Sequence, residues 1–219
     1  PAKSLGYLNE KVVRKIMAEE QLVVPRKKRR TYNSYLGEIS PAVDNLIARD
    51  FHAETPNTKW LTDLTEFRIP AGKIYLSPII DCFDGLVVSW TIGTSPDAEL
   101  VNTMLDDAIG CLGDGECPIV HTDRGCHYRW PGWISRVESA GLTRSMSKKG
   151  CSPDNSACEG FFGTIKNEMF YYESWDGVSV VQFINELDSY LRWYNELRIK
   201  MSLGAMSPMT YRRNIGLVA

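Results

Sequence analysis

Histidine is scarce in this chain: there are three, His52, His121 and His127. A His/Cys zinc domain is therefore not expected, and the six cysteines contain no Cys-x-x-Cys pair that would support one. With no secretory context, the cysteines read as reduced thiols rather than a disulfide framework. No apolar run reaches membrane-spanning length, the longest being interrupted by Asp81, Asp84 and Gly93, so no membrane partner is expected. The opening PAKSLGYLNEKVVRK lacks the apolar stretch of a signal peptide. A global positive field is missing too. The 25 Lys and Arg stand against 27 Asp and Glu, a net charge of −2, which argues against nucleic-acid binding by overall charge.

At 219 residues and 43% hydrophobic, the chain can bury a proper core, and its length suits one main domain with a small appendage. Basic charge is local rather than absent. Eight basic residues lie from Lys11 to Arg30, five of them in the run Arg26, Lys27, Lys28, Arg29, Arg30. Smaller clusters are Arg144/Lys148/Lys149, Arg192/Arg198/Lys200 and Arg212/Arg213. A charge run by itself is more often a solvated segment than a binding site.

Residues 8–23 carry a helical stripe of Leu8, Val12, Val13, Ile16 and Met17, with Asn9 as its N-cap. The chain starts just before this helix, and helices that would pack on it are expected upstream. Residues 24–56 read as a linker with a helical turn around 43–49. The core follows. Strands are expected over 59–69, 73–83 and 86–93, an antiparallel meander whose second hairpin turns at Asp84-Gly85. Ser95 and Pro96 then open a helix to residue 112. Short strands at 117–123 and 142–147 flank a helix over 131–140, and helices follow at 153–170, at 178–199 and after Ser207-Pro208. Trp60, Trp130, Trp133, Trp175 and Trp193 read as packing residues. This order predicts an α/β fold with a mixed five-stranded sheet flanked by helices, ribonuclease-H-like, in which the first and fourth strands lie side by side. A short N-terminal helical appendage precedes it.

Three carboxylates stand out in this frame. Asp63 lies in the strand pattern KWLTDLTEF, Asp123 at a strand end before Arg124-Gly125, and Glu159 in a helical pattern thirty-five residues beyond Asp123. Singly, such residues are more often turn or solvent-facing groups. Together they suit two divalent ions about 3.5–4 Å apart that take hard oxygen ligands and act on phosphodiesters. With Ser152 as cap and Pro153 as the first helical residue, Asn155 lies about 40° from Glu159 on the helix and Lys166 about 20° to the other side. All three would then share one face, opposite Phe161, Ile165 and Met169. His121 reads as a satisfied semi-buried histidine without a catalytic role, and Asp81 and Asp84 as hairpin residues.

The segments KWLTDLTEF, IYLSPIID, HTDRGCHY, SMSKKGCSPDNSACEGFFGTIKNE, YNELRIKMSLGAMSP and TYR, in this order, resemble the integrase-core transposases of two-frame bacterial insertion sequences, relatives of the retroviral integrases. The resemblance covers the chain from about Leu8. It implies the end of a helix-turn-helix at 1–24, a basic linker at 25–56 and a catalytic core at 57–219. It also implies Asp63, Asp123 and Glu159 as catalytic metal ligands for Mg²⁺ or Mn²⁺, two ions. Lys166 matches the residue that contacts the element's terminal DNA, and Asn155, Lys148, Lys149 and the Arg26–Arg30 run are the other expected DNA contacts. Cys151, Pro153 and Gly160 depart from the family's commoner residues, none of them at a metal ligand. The implied activity is metal-dependent cleavage of a DNA end followed by strand transfer, on double-stranded DNA, by a homo-oligomer in the bacterial cytoplasm at the nucleoid. A nuclease without transfer and an inert DNA-binding assembly protein are the rival readings. In the metal-free protein, disorder is expected near 151–155.

Overall fold

The structure is a computed structural model that describes residues 9–20, 22, 40 and 43–217. The chain divides into two units, residues 1–36 and 37–219. In the first, helix α1 (Glu10–Glu19) starts where Asn9 accepts from Lys11 N at 2.9 Å. Its apolar stripe, Val12, Val13, Ile16 and Met17, is exposed. The expected basic run, Arg26 to Arg30, lies outside the described residues.

The second unit is built on one six-stranded sheet: β1 (Lys59–Thr62), β2 (Thr65–Ile69), β3 (Gly72–Asp81), β4 (Val87–Gly93), β5 (Ile119–Thr122) and β6 (Thr143–Met146). The path runs β2-β3-β1-β5-β6, with β4 on the other side of β3. The five expected strands become six because the first is cut at Asp63-Leu64. Thr62 pairs with Ile79 and Thr65 with Leu76, so the register along β3 is the same on both sides of the cut. β1 runs parallel to β5 and β5 to β6, which puts the first strand beside the strand before Asp123 as expected.

Alternation along the strands sends side chains to two cores. Leu61, Phe67, Ile74, Leu76 and Ile80 meet helices α4 (Ser156–Ile165) and α5 (Val180–Glu196) on one face. Trp60, Ile79 and Val120 meet α2 (Ala98–Ile109) and α3 (Pro131–Ser139) on the other. Helix α2 starts later than expected because Asp97, not Ser95, caps it, accepting from Leu100 N at 3.0 Å. The expected helical turn near 43–49 is absent: Ala48 and Arg49 take φ of 50° and 68°, which a right-handed helix cannot use. Trp193 differs from its expected packing role and is 42% exposed. None of the described helices is long and apolar enough to cross a membrane.

Helix α6 (Pro208–Asn214), capped by Ser207 as expected, is pinned to the β3–β4 turn by charge. Arg212 donates from Nε to Asp84 Oδ2 at 2.6 Å and from Nη2 to Asp81 Oδ2 at 2.7 Å. Both carboxylates are fully buried, and Asp81 also accepts from Asn57 N and Phe83 N. The basic clusters at the C-terminal end are similarly occupied: Arg192 pairs with Asp188, Arg198 with Glu168, and Lys200 donates to the Asp84 carbonyl. Removing one partner of a buried ionic group strands the other. The Arg212→Met variant should therefore lose about 3–5 kcal/mol in urea denaturation, with a larger deficit at pH 8 than at pH 5, because burial already raises Asp81 and without Arg212 it takes up a proton more readily. A loss below about 1 kcal/mol would mean that the pair contributes no more than a surface bridge.

Candidate active site

Asp63 is where the first strand breaks: it stands opposite Pro78 in the register along β3, and proline has no N–H to give the ladder. Oδ1 accepts from Leu64 N at 2.7 Å. Oδ2 accepts from Asn155 Nδ2 at 3.0 Å. Leu61 pairs with His121 across β1 and β5. Two residues further along each parallel strand, the pleat brings Asp63 and Asp123 out on the same face at neighbouring strand ends. Asp123 Oδ1 accepts from Gly125 N at 2.7 Å, and a Cβ on Gly125 would stand 2.8 Å from that oxygen. Glycine is needed at 125 because the carboxylate folds back over the turn.

The two acids share half-buried ground without a cation. Among the described residues no Lys or Arg pairs with either. Burial, then the charge of Asp123, pushes Asp63 up to about 7, with Glu159 adding a smaller push against the Leu64 and Asn155 donors. Burial also raises Asp123, offset in part by the Gly125 donor. Tyr128, wholly buried, feels both charges, and burial with those charges drives its hydroxyl well above the usual range. Its hydroxyl lies beside Thr62, and among the described residues Asn155 Oδ1 is buried without a hydrogen-bond partner.

Glu159 is exposed in the first turn of α4. Among the described residues no three His, Cys, Asp or Glu side chains stand close enough to hold a metal ion together. The structure thus brings Asp63 and Asp123 together and leaves Glu159 short of them. The donor set fits a hard divalent cation: carboxylate oxygens only, two of them in a site short of positive charge.

The expected single helix over 153–170 is three pieces: a 3₁₀ turn at Ser152–Asn155, α4, and a π turn at Lys166–Phe170. Asn155, Glu159 and Lys166 therefore do not share one helical face. Asn155 is 4% exposed and turned to Asp63. Lys166 Nζ sits 5.5 Å from the centroid of the Phe67 ring, its pKa lowered by burial. Phe161 and Ile165 are core residues and Met169 packs against them, as the periodicity predicts. Lys148 and Lys149 are exposed on the loop before the 3₁₀ turn.

That 3₁₀ turn is bonded to its surroundings at Asp154. Asp154 accepts from Arg49 Nε at 2.8 Å and from Lys148 N at 3.0 Å. His121, fully buried rather than semi-buried, has Nδ1 2.8 Å from Ser145 Oγ and Nε2 2.9 Å from the Asp154 carbonyl. Sequence reasoning missed what His121, Asn155 and Tyr128 do here. Only His121 carried a signal, lying two residues before Asp123 and so on its face of the strand.

An acid raised above its unfolded value binds its proton more tightly when folded, so stability is retained at low pH and lost as pH rises. For Asp63 the loss should run from about pH 4 to about pH 7 and amount to roughly 2–4 kcal/mol. Asp63→Asn should flatten that slope and make the metal-free protein more stable than the parent at pH 8. Urea denaturation from pH 5 to 8 checks this, and parallel profiles for parent and variant would contradict it.

An Integrase core domain profile matches residues 53–152, and a second, of the same description, matches 159–215. A transposase named for insertion sequence IS1353 of Shigella flexneri is 62% identical over 97% of this chain, which spans 41% of that protein's length. Transposase InsK of IS150 from Escherichia coli is 38% identical over 94% of this chain and 71% of its own length. Among solved structures, the HTLV-2 integrase catalytic core in complex with magnesium superposes with a TM-score of 0.57 at 20% identity, over 71% of this chain and 96% of that one. A chain of the simian T-cell lymphotropic virus intasome in complex with PP2A regulatory subunit B56 gamma gives 0.59 at 20% identity, over 76% of this chain and 56% of that one. Those likenesses support the ribonuclease-H-like fold, and the sequence matches place it in a family: the chain belongs to the integrase-core transposases of bacterial insertion sequences.

Proposed function

We propose that this chain is the catalytic core of a transposase that cuts a DNA end and joins it to a second site with divalent metal. The observation that carries the reading is the pair Asp63 and Asp123, side by side at parallel strand ends, half-buried and, among the described residues, with no Lys or Arg paired to either. Mg²⁺ or Mn²⁺ bound there, as two ions, would activate the attacking oxygen and stabilise the leaving oxygen of an in-line displacement at phosphorus.

The chain's own residues divide the remaining work. Asp63 and Asp123 hold their carboxylates toward the site from rigid strands. Glu159 joins them by a shift of the first turn of α4, since it stands exposed and apart. The substrate is double-stranded DNA. Water attacks at the element's end to free a 3′-hydroxyl, which then attacks a target phosphodiester, with no covalent bond to the protein. Lys148 and Lys149, exposed beside the site, and Lys166 at the end of α4 hold phosphates. The Arg26–Arg30 run adds further phosphate contacts. Two ends have to be brought together, which calls for a homo-oligomer on DNA, working in the bacterial cytoplasm at the nucleoid.

A strand-transfer assay with labelled element ends and target DNA tests the reading. Joined products that require Mg²⁺ or Mn²⁺ are expected, and hydrolysed ends alone would make the protein a nuclease. Asp63→Asn, Asp123→Asn and Glu159→Gln should each lower the rate on the order of 10²–10³-fold, since each removes several kcal/mol of charge stabilisation. Retained activity in all three would sink the site. Lys148→Gln with Lys149→Gln should weaken DNA binding alike on all sequences and reduce the salt slope of log K by about two. An unchanged slope would remove the pair from the DNA path.

A further inference from the structure

We propose that Asn155 is a positioning residue for metal loading: its amide holds Asp63 Oδ2 while His121 holds the peptide beside it, so one buried turn ties the start of α4, and with it Glu159, to the strands carrying Asp63 and Asp123. This rests on the metal site of the proposed function and goes beyond it in naming what sets the ligands in register.

The hydrogen-bond network fixes the direction of each contact. The Asp154 carbonyl can only accept, so His121 Nε2 carries the proton and donates to it at 2.9 Å. Nδ1 then accepts from Ser145 Oγ at 2.8 Å, and that same oxygen accepts from Leu46 N at 2.9 Å. The imidazole therefore spans from β5 to the turn with both nitrogens used, and Ser145 locks it from β6. Asp154 adds its own anchors, Arg49 Nε and Lys148 N.

Asn155 stands at the head of this anchored turn and directly precedes α4. A carboxylate can only accept, so the group facing Asp63 Oδ2 is the amide nitrogen, at 3.0 Å. Oδ1 of the same amide is buried and without a partner, so packing around the donor, not a second bond, holds its orientation. Asp63 is gripped from two sides, by Leu64 N and by Asn155, which leaves its remaining lone pairs in one fixed direction. Glu159 lies four residues past Asn155, about one helical turn further along the same segment. Any movement that brings Glu159 to the two aspartates pivots on the Asn155–Asp63 contact. Groups that orient metal ligands in this way typically contribute 10–100-fold in metal affinity.

Calorimetric titration with Mn²⁺ on the full chain tests the idea without DNA. The parent should bind Mn²⁺ and Asp63→Asn should not; a parent that binds none sinks the metal reading itself. Asn155→Ala should bind about tenfold or more weakly. Asn155→Ser, which keeps a small polar group at the buried position but cannot reach Asp63, should behave alike and covers the case in which the alanine variant folds poorly. The decisive readout is coupling. Glu159→Gln should weaken Mn²⁺ binding in the parent and have little further effect beside Asn155→Ala or Asn155→Ser. Affinity within about twofold of the parent in both Asn155 variants, or an equal Glu159→Gln effect in parent and variants, would overturn the proposal while leaving the metal site standing.

Discussion

Two like charges held side by side at the ends of neighbouring parallel strands are the constraint that the rest of this structure answers. The parallel pairing of β1 with β5 puts Asp63 and Asp123 on one face. Partial burial then makes their charges expensive, which is why Asp63 is driven to about 7. Backbone donors at Leu64 and Gly125 and the amide of Asn155 offset part of that penalty with dipoles, not with a cation. An Arg or Lys in their place would satisfy the acids permanently. Arg212 does this for Asp81 and Asp84 at the other end of β1, and that network is structural. The contrast between the two acidic pairs separates a site left able to take a cation from a staple.

The same local chemistry explains what could and could not be read from the sequence. The strand pattern over 59–69 is visible in Trp60, Thr62, Phe67 and Ile69, and the register along β3 bears it out. The cut at Asp63-Leu64 does not show in that alternation, because its cause is Pro78 on the facing strand, which has no N–H to give, and only the register brings the two together. Asp97 displaced Ser95 as a cap for a related reason: several residues in a row could have capped, and only three-dimensional reach chose among them. Arg212 looked like part of a basic cluster because its partners lie more than a hundred residues away.

The candidate site was legible in its ligands and not in their supports. The three carboxylates stand out by spacing and by resemblance. Asn155 was expected on the same face as Glu159, and the helix geometry behind that expectation fails, since the segment is a 3₁₀ turn before Ser156 and a π turn after Ile165. His121 hides its role for a different reason. A buried, doubly bonded imidazole and an idle one have the same sequence signature, and only the contact to the Asp154 carbonyl tells them apart. Within the stretch 151–155, Asp154 is tied to β5 by His121, to Arg49 and to the Lys148 peptide.

Anchoring at Asp154 and Asn155 moves the compliant part of the segment to the helix itself. Gly160 and Gly163 follow Glu159 within a ten-residue helix. A Cβ at either would meet nothing within 4 Å, so packing does not demand glycine there. Each glycine lowers helix stability by about 1 kcal/mol relative to alanine. The helix is held instead by Cys158, Phe161, Phe162 and Ile165 on its buried side. The side bearing Glu159 is exposed, while the turn before it is bonded to Asp63 after β1 and to His121 on β5.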